Sequence, residues 1–184
     1  AKKRGVQVTA EVTPQHLILT DEALRTFETR YKVNPPIRSE EHRAACVAGL
    51  QDGTIDAVVT DHAPHEWEEK DQEFNLAPSG FVGLETSVGA MLTYMYHTGH
   101  IDLMTLVNAM STAQAKILGL DAGVIAPGKD ADLTVLDLDK EWTVDSSKFY
   151  SKGKASPFDE MIFKGKAAAT IVNGKIVMKN GEVL

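Results

Sequence analysis

The amino-acid sequence predicts an α/β unit over residues 1–121 joined to a smaller β module over residues 122–184. Three observations lead to that division. Before residue 121, short apolar or alternating runs trade places with stretches of helical periodicity, the pattern of parallel strand–helix units. After it, helical periodicity stops and glycine and β-branched residues take over. Within that second part, Asn173-Gly174 sits between the apolar runs Thr170-Ile171-Val172 and Lys175-Ile176-Val177-Met178, a strong short-range hairpin signal.

The elements follow in order. Val6-Gln7-Val8-Thr9-Ala10-Glu11-Val12 alternates with period two and leaves at Thr13-Pro14, which predicts a strand and its exit. Thr20 with Asp21 and Glu22 predicts a capped helix, with Leu24, Phe27 and Tyr31 at helical spacing. The double proline of Val33-Asn34-Pro35-Pro36-Ile37-Arg38 forces extended backbone. Ser39, Glu40 and Glu41 open a second helix, with Ala44, Ala45, Val47, Ala48 and Leu50 as its apolar face and Gly53 past its end.

Thr54-Ile55-Asp56-Ala57-Val58-Val59-Thr60 is the clearest buried strand, and it ends in Asp61-His62-Ala63-Pro64-His65. Residues 66–75 form a polar loop, and 84–96 a helix with Val88, Met91, Leu92 and Met95 on one side. Asp102 and Ser111 read as caps of two further helices, the second ending at Gly119. In the β module, residues 131–137 alternate as a strand, Asn180-Gly181 marks another tight turn, and residues 146–157 read as an exposed loop.

Composition narrows the function. A chain of 184 residues buries roughly 70% of its unfolded surface and needs no disulfide staples. With 19 Lys+Arg against 26 Asp+Glu the net charge is −7, which disfavours a broad nucleic-acid footprint. No apolar run approaches the roughly 18 residues of a membrane span. The basic start Ala1-Lys2-Lys3-Arg4-Gly5 has no apolar stretch behind it, so it does not read as a signal peptide. The single Cys46 cannot pair within the chain, which suits a reducing, cytoplasmic setting. The first residue is not Met, as in a processed chain or a piece of a longer one.

Chemistry is expected where parallel strands end, at their carboxyl termini. Three exits qualify: residues 11–16, residues 33–38 and residues 60–65. The third is the most informative. A buried strand ending in Asp61 presents a carboxylate that can ligate a metal or act as a general base, and the plain alternative is an Asp that caps a turn. His62 and His65 stand beside it. The other candidates read as structural: His16 as a packed or surface residue, His42 as solvated, His97 and His100 as a helix exit. Cys46, Met91 and Met95 read as core, and the run Glu66, Glu68, Glu69 and Lys70 as a solvated loop with lid potential.

These residues carry a resemblance. Val33-Asn34-Pro35-Pro36-Ile37-Arg38, Thr60-Asp61-His62-Ala63-Pro64-His65 and Asn75-Leu76-Ala77-Pro78-Ser79-Gly80 resemble dihydroorotase, within the amidohydrolase superfamily. Glu11-Val12-Thr13-Pro14, Gly83-Leu84-Glu85-Thr86 and Gly128-Lys129-Asp130-Ala131-Asp132-Leu133 add to it, in the family's order across essentially the whole chain. Hydantoinases and allantoinases share the layout, but Asn34 before Pro-Pro and His65 closing its run are similar to the dihydroorotase branch. Two departures stand out: Gln15-His16 where the family often has paired His, and Thr112-Ala113-Gln114-Ala115 where the superfamily often has Asn-Pro-Ala.

The resemblance implies the C-terminal part of a (β/α)8 barrel followed by part of a small β-sandwich domain. It implies zinc-dependent interconversion of N-carbamoyl-L-aspartate and L-dihydroorotate in pyrimidine biosynthesis. Two Zn2+ ions per complete site are implied, most of their ligands upstream, because the family's His-x-His occurs nowhere here. By the same resemblance Asp61 is a metal ligand and the general acid/base, His65 binds the substrate carboxylate, Asn34 binds the ring, and Ser79 and Gly80 supply loop contacts to it. Implied partners are the small-molecule substrate, a second copy in a homodimer, and aspartate transcarbamoylase; no nucleic acid or membrane is expected. The alternatives are another cyclic-amide hydrolase, of hydantoinase or allantoinase type, and a non-catalytic relative that scaffolds aspartate transcarbamoylase. The chain alone is expected to be inactive.

Overall fold

The computed structural model describes all of residues 1–184. Its first part is built round two short parallel strands, β1 (Glu11–Val12) and β2 (Ala57–Val58), paired Glu11 with Ala57 and Val12 with Val58. Both strands are shorter than the sequence predicts. Residues 6–10 alternate correctly but find no partner strand along their length, so they stay extended and exposed. What registers the pair is Ala10, whose carbonyl accepts from the Asp56 amide at 2.8 Å, and Val12, whose carbonyl accepts from Val59 at 2.9 Å.

The connection between the strands holds α1 (Pro14–Ile18), two 3-10 turns at Asp21–Thr26 and Thr29–Tyr31, and α2 (Glu40–Gln51). The α-helix expected after Thr20 does not form. Phe27 adopts a left-handed conformation (φ 55) that ends the first 3-10 turn, and Thr20 makes no side-chain cap. In α2 the expected apolar face holds at Val47 and Leu50 but not at its three alanines. Val47, Gly49 and Leu50 are buried while Ala44, Ala45 and Ala48 face outward, because the larger side chains win the apolar interior. Ser39 precedes α2 as expected, but its hydroxyl bonds the His42 ring (2.8 Å) rather than a backbone amide.

After β2 come the short helix α3 (Trp67–Lys70) and α4 (Ser87–Met91), which runs on through a π turn at Leu92–Tyr96. α5 (Leu103–Val107) is capped by Asp102, whose carboxylate accepts from Thr105 at 2.7 Å. A π turn at Asn108–Thr112 carries it into α6 (Ala113–Leu118), which stops at Gly119. Ser111 therefore lies inside one continuous helical path and is no cap. Gln114 explains the continuity: its side-chain amide donates to the Val58 carbonyl and also to Ala109 at 3.3 Å, fastening the helix to β2.

The second part is one antiparallel sheet in the order β3 (Leu133–Thr143), β4 (Ile162–Val172), β5 (Lys175–Lys179) and β6 (Glu182–Val183). Both Asn-Gly turns fall where the sequence puts them, at β4–β5 and β5–β6. β3 departs from regular pairing between Asp137 and Glu141, where the Asp137 carboxylate accepts from the amides of Asp139 and Lys140.

Two apolar clusters organise the molecule. One joins Val12, Val58 and Leu17 to Leu50, Met91 and Met95 across the strands and their helices. The other joins Val82 and Ala90 to Val144, Phe149, Phe158 and Phe163. This second cluster sews the sheet to α4, so the boundary at residue 121 is not a gap in packing. It also corrects the expected exposed loop at 146–157. Phe149, Gly153, Ser156 and Pro157 are buried in it.

Candidate active site

β2 leaves its buried run at Val59 and Thr60 and delivers Asp61 to the surface in a left-handed conformation (φ 49). The Asp61 carboxylate is exposed and forms no hydrogen bond or ion pair in the chain. A carboxylate capping its own turn would accept from a backbone amide nearby. Asp61 does not, so its oxygens are free for a proton or a cation. His62 points the other way. Its Nδ1 accepts from the amides of Gly83 (3.2 Å) and Leu84 (3.3 Å), which leaves the ring proton on Nε2.

His65 closes the loop. Its Nε2 donates to the Ser79 carbonyl at 3.0 Å, and its Nδ1 lies 3.2 Å from the Glu69 carboxylate. The Ala63 amide donates to the Phe81 carbonyl at 3.0 Å, so residues 61–65 run alongside residues 79–81. Gly80 has φ +129, and a Cβ there would sit 2.7 Å from Ala63 Cβ and 3.1 Å from His65 Nε2. Only glycine lets the two segments come this close.

The Asn34 loop joins from a third side. The Gly80 amide donates to the Lys32 carbonyl at 2.9 Å, two residues before Asn34. Asn34 precedes a cis proline, Pro35, whose carbonyl accepts from His16 Nε2 at 3.0 Å; His16 Nδ1 is bonded in turn to Thr13 Oγ1 at 2.6 Å. His16 thus ties the exit of β1 to the Asn34 turn, a tether rather than a surface residue.

The structure therefore places His65, Ser79 and Gly80 in one bonded unit, with Asn34 and Asp61 exposed at its two flanks and no hydrogen bond between them. Three contributors escape sequence reasoning. Lys70, expected in a solvated loop, is 2% exposed and donates to the carbonyls of Pro78 and Gly80. Burial, helped by the nearby charge of Lys32, brings its ammonium pKa down to about 8. Gly153 packs on the outer side of the loop, where a Cβ would meet the His65 carbonyl at 2.7 Å. Glu85 accepts from the amides of Tyr150 (2.9 Å) and Ser151 (3.1 Å), holding that segment in place.

No three His, Cys, Asp or Glu side chains gather closely enough in this chain to hold a metal ion. At the exit of β2, Asp61 is the ligand-type side chain with no bond in the chain, the rings of His62 and His65 being hydrogen-bonded, and a catalytic zinc takes about three protein ligands. A hollow of about 690 Å3 lies at the opposite ends of β1 and β2, lined by residues such as Val6, Val8, Leu50 and Asp56.

Comparison with known proteins bears on this arrangement. The Amidohydrolase family pattern matches residues 2–177. The chain belongs to the amidohydrolase family. It is 46% identical over all 184 residues to a protein named Dihydroorotase from Acetivibrio thermocellus and 51% identical over 177 residues to one from Citrifermentans bemidjiense. These matches take in 100% and 96% of this chain but 43% and 42% of the relatives, so the chain spans less than half the length of either. Among solved structures, an L-hydantoinase (dihydropyrimidinase) from Arthrobacter aurescens superposes with a TM-score of 0.95 at 38% identity. It is covered over 100% of this chain and 42% of its own. An α/β amidohydrolase-type fold, present here in part, follows from both comparisons.

Proposed function

We propose that this chain is the C-terminal portion of a dihydroorotase: residues 1–121 the last part of its (β/α)8 barrel, residues 122–184 strands of its small β-sandwich domain. The reading is supported by identities of 46–51% to proteins of that name along the whole chain. The observation that carries it is the unpartnered Asp61 carboxylate at the exit of a buried parallel strand, beside the turn that His65 and Gly80 lock together.

Opening or closing a cyclic amide moves one proton between the attacking oxygen and the ring nitrogen. Asp61 is the group free to hold that proton, and it is also the chain's ligand for the metal. Bound zinc would supply polarisation of the ring carbonyl. Asn34 and the 79–80 turn offer hydrogen bonds to the ring, and His65 donates toward a substrate carboxylate. That last role requires the His65 ring to exchange its Glu69 contact for the substrate while keeping the Ser79 carbonyl.

The likeness to the L-hydantoinase supports a second reading, a hydrolase of rings without the carboxylate. A panel of dihydroorotate, hydantoin and allantoin, assayed on the full-length protein, separates the two. Preferred turnover of dihydroorotate is expected. Preference for either other ring overturns the assignment.

A further inference from the structure

We propose that Lys70 is a positioning residue for the substrate turn: it commits the carbonyls of Pro78 and Gly80 on either side of the His65-bound Ser79 carbonyl, so the turn offers a bound ring the Ser79 N–H and hydroxyl and no free backbone carbonyl. The role of this turn as a substrate contact rests on the dihydroorotase reading. The restraint itself rests on geometry. Lys70 Nζ lies 2.9 Å from the Pro78 carbonyl and 2.9 Å from the Gly80 carbonyl, bracketing Ser79. The carbonyl between them, that of Ser79, accepts from His65. Three successive carbonyls are thus taken by two side chains. The Gly80 amide is taken by Lys32, which leaves the exposed Ser79 with its N–H and its hydroxyl unbonded. A ligand arriving at this turn meets an amide donor and a hydroxyl, a fit for a ring carbonyl or carboxylate oxygen.

The restraint is charge-assisted, and no carboxylate shares it. Lys70 has no ion-pair partner. The charged groups around it are Lys32, which repels it, His65 and Glu69 across the same turn, and Glu28, Arg30, Asp71, Lys154 and Asp159 around the adjoining hollow of about 450 Å3. Above about pH 8 the amine loses its proton. A neutral amine still has two N–H groups for two carbonyls, but such bonds have about half the strength of ionic ones.

The test uses the full-length protein with Lys70→Met and Lys70→Arg. Hydrogen exchange of the Gly80 amide is compared with amides of α2, and KM and kcat for dihydroorotate are measured from pH 6.5 to about 9.5. In Lys70→Met, Gly80 exchange is expected to rise about tenfold with α2 unchanged. KM is expected to rise roughly tenfold, the loss of one charge-assisted bond, while kcat holds. In wild type KM is expected to climb above about pH 8, and Lys70→Arg, charged throughout, flattens that climb.

Unchanged Gly80 exchange overturns the proposal, as does a rise shared by α2 or a parallel loss of kcat and KM. Should Lys70→Met not fold, a wild-type KM flat above pH 8 overturns it equally. If Gly80 exchange rises alone while wild type does not turn over dihydroorotate, the positioning role stands and the substrate reading is the one that fails.

Discussion

Residues 1–121 hold every proposed site residue in loops around strands of only two residues each, whereas the second part builds strands of up to eleven residues and holds none. Burial runs opposite to ladder length. Val12, Ala57 and Val58 are almost fully buried, while most side chains of β3 and β5 are half or wholly exposed. The long ladders are written locally, as neighbouring strands joined by tight turns. The short pair is held by side chains reaching in from far along the chain, Gln114 to Val58 and Lys2 to Asp56 just before β2, while His16 ties the exit of β1 to Pro35. A site assembled from such ties stays open where a regular ladder would consume its backbone groups.

The comparison breaks first at Asp61. Asp61→Asn in the full-length protein keeps the side-chain volume and removes the proton acceptor. Turnover should fall by about 10³-fold or more. The melting temperature should stay within a degree or so, because the carboxylate bonds nothing in the chain. Near wild-type turnover would refute the assignment.

The next effect falls on the seam between the two parts. Phe163 on β4 is fully buried, with edge-on contacts to Tyr94 (6.0 Å), Trp142 (5.5 Å) and Phe158 (5.7 Å). Phe163→Ala should cost about 3–5 kcal/mol of stability. Denaturant unfolding should show one transition shifted as a whole. Two separate transitions would mean that the sheet and the helical part fold independently.

What the sequence made legible follows the same divide. Both Asn-Gly hairpins, the Asp102 cap and the stop at Gly119 were readable because each is settled by a few adjacent residues. The exit at Asp61 was readable because a buried apolar run points at it. Lys70, Gly153 and Glu85 were not, since their partners lie 8 to 88 residues away and leave no periodic trace. The Ser111 cap failed because a π turn lets helix continue through a residue that usually starts one. The Ala44, Ala45 and Ala48 face failed because three alanines look apolar in sequence but have too little surface to decide which way a helix turns.

His65→Ala sharpens the site side of the comparison. If the ring serves a substrate carboxylate, kcat/KM for dihydroorotate should fall by roughly 1.5–3 kcal/mol, about 10–150-fold. Activity on a ring lacking the carboxylate should fall much less. If His65 only ties Ser79 to the loop, both rings lose alike and the melting temperature drops with them.

The smallest effect belongs to the sheet. Asn173 (φ 50) and Gly174 (φ 74) both lie in the left-handed region, the pair of angles a two-residue hairpin turn requires. A Cβ on Gly174 would meet nothing within 4 Å, so Gly174→Ala has no steric clash and only a backbone cost of about 1 kcal/mol. That corresponds to a melting-temperature loss of roughly 2–4 °C for a chain of this size. Gly80→Ala differs in kind, because there the Cβ would meet Ala63 at 2.7 Å as well. Gly174→Ala should therefore leave kcat/KM unchanged in the full-length protein while Gly80→Ala lowers it. A change beyond about twofold from Gly174→Ala would show that strain in the β4–β5 turn reaches the loops around Asp61, through the Phe163 seam that joins the two parts.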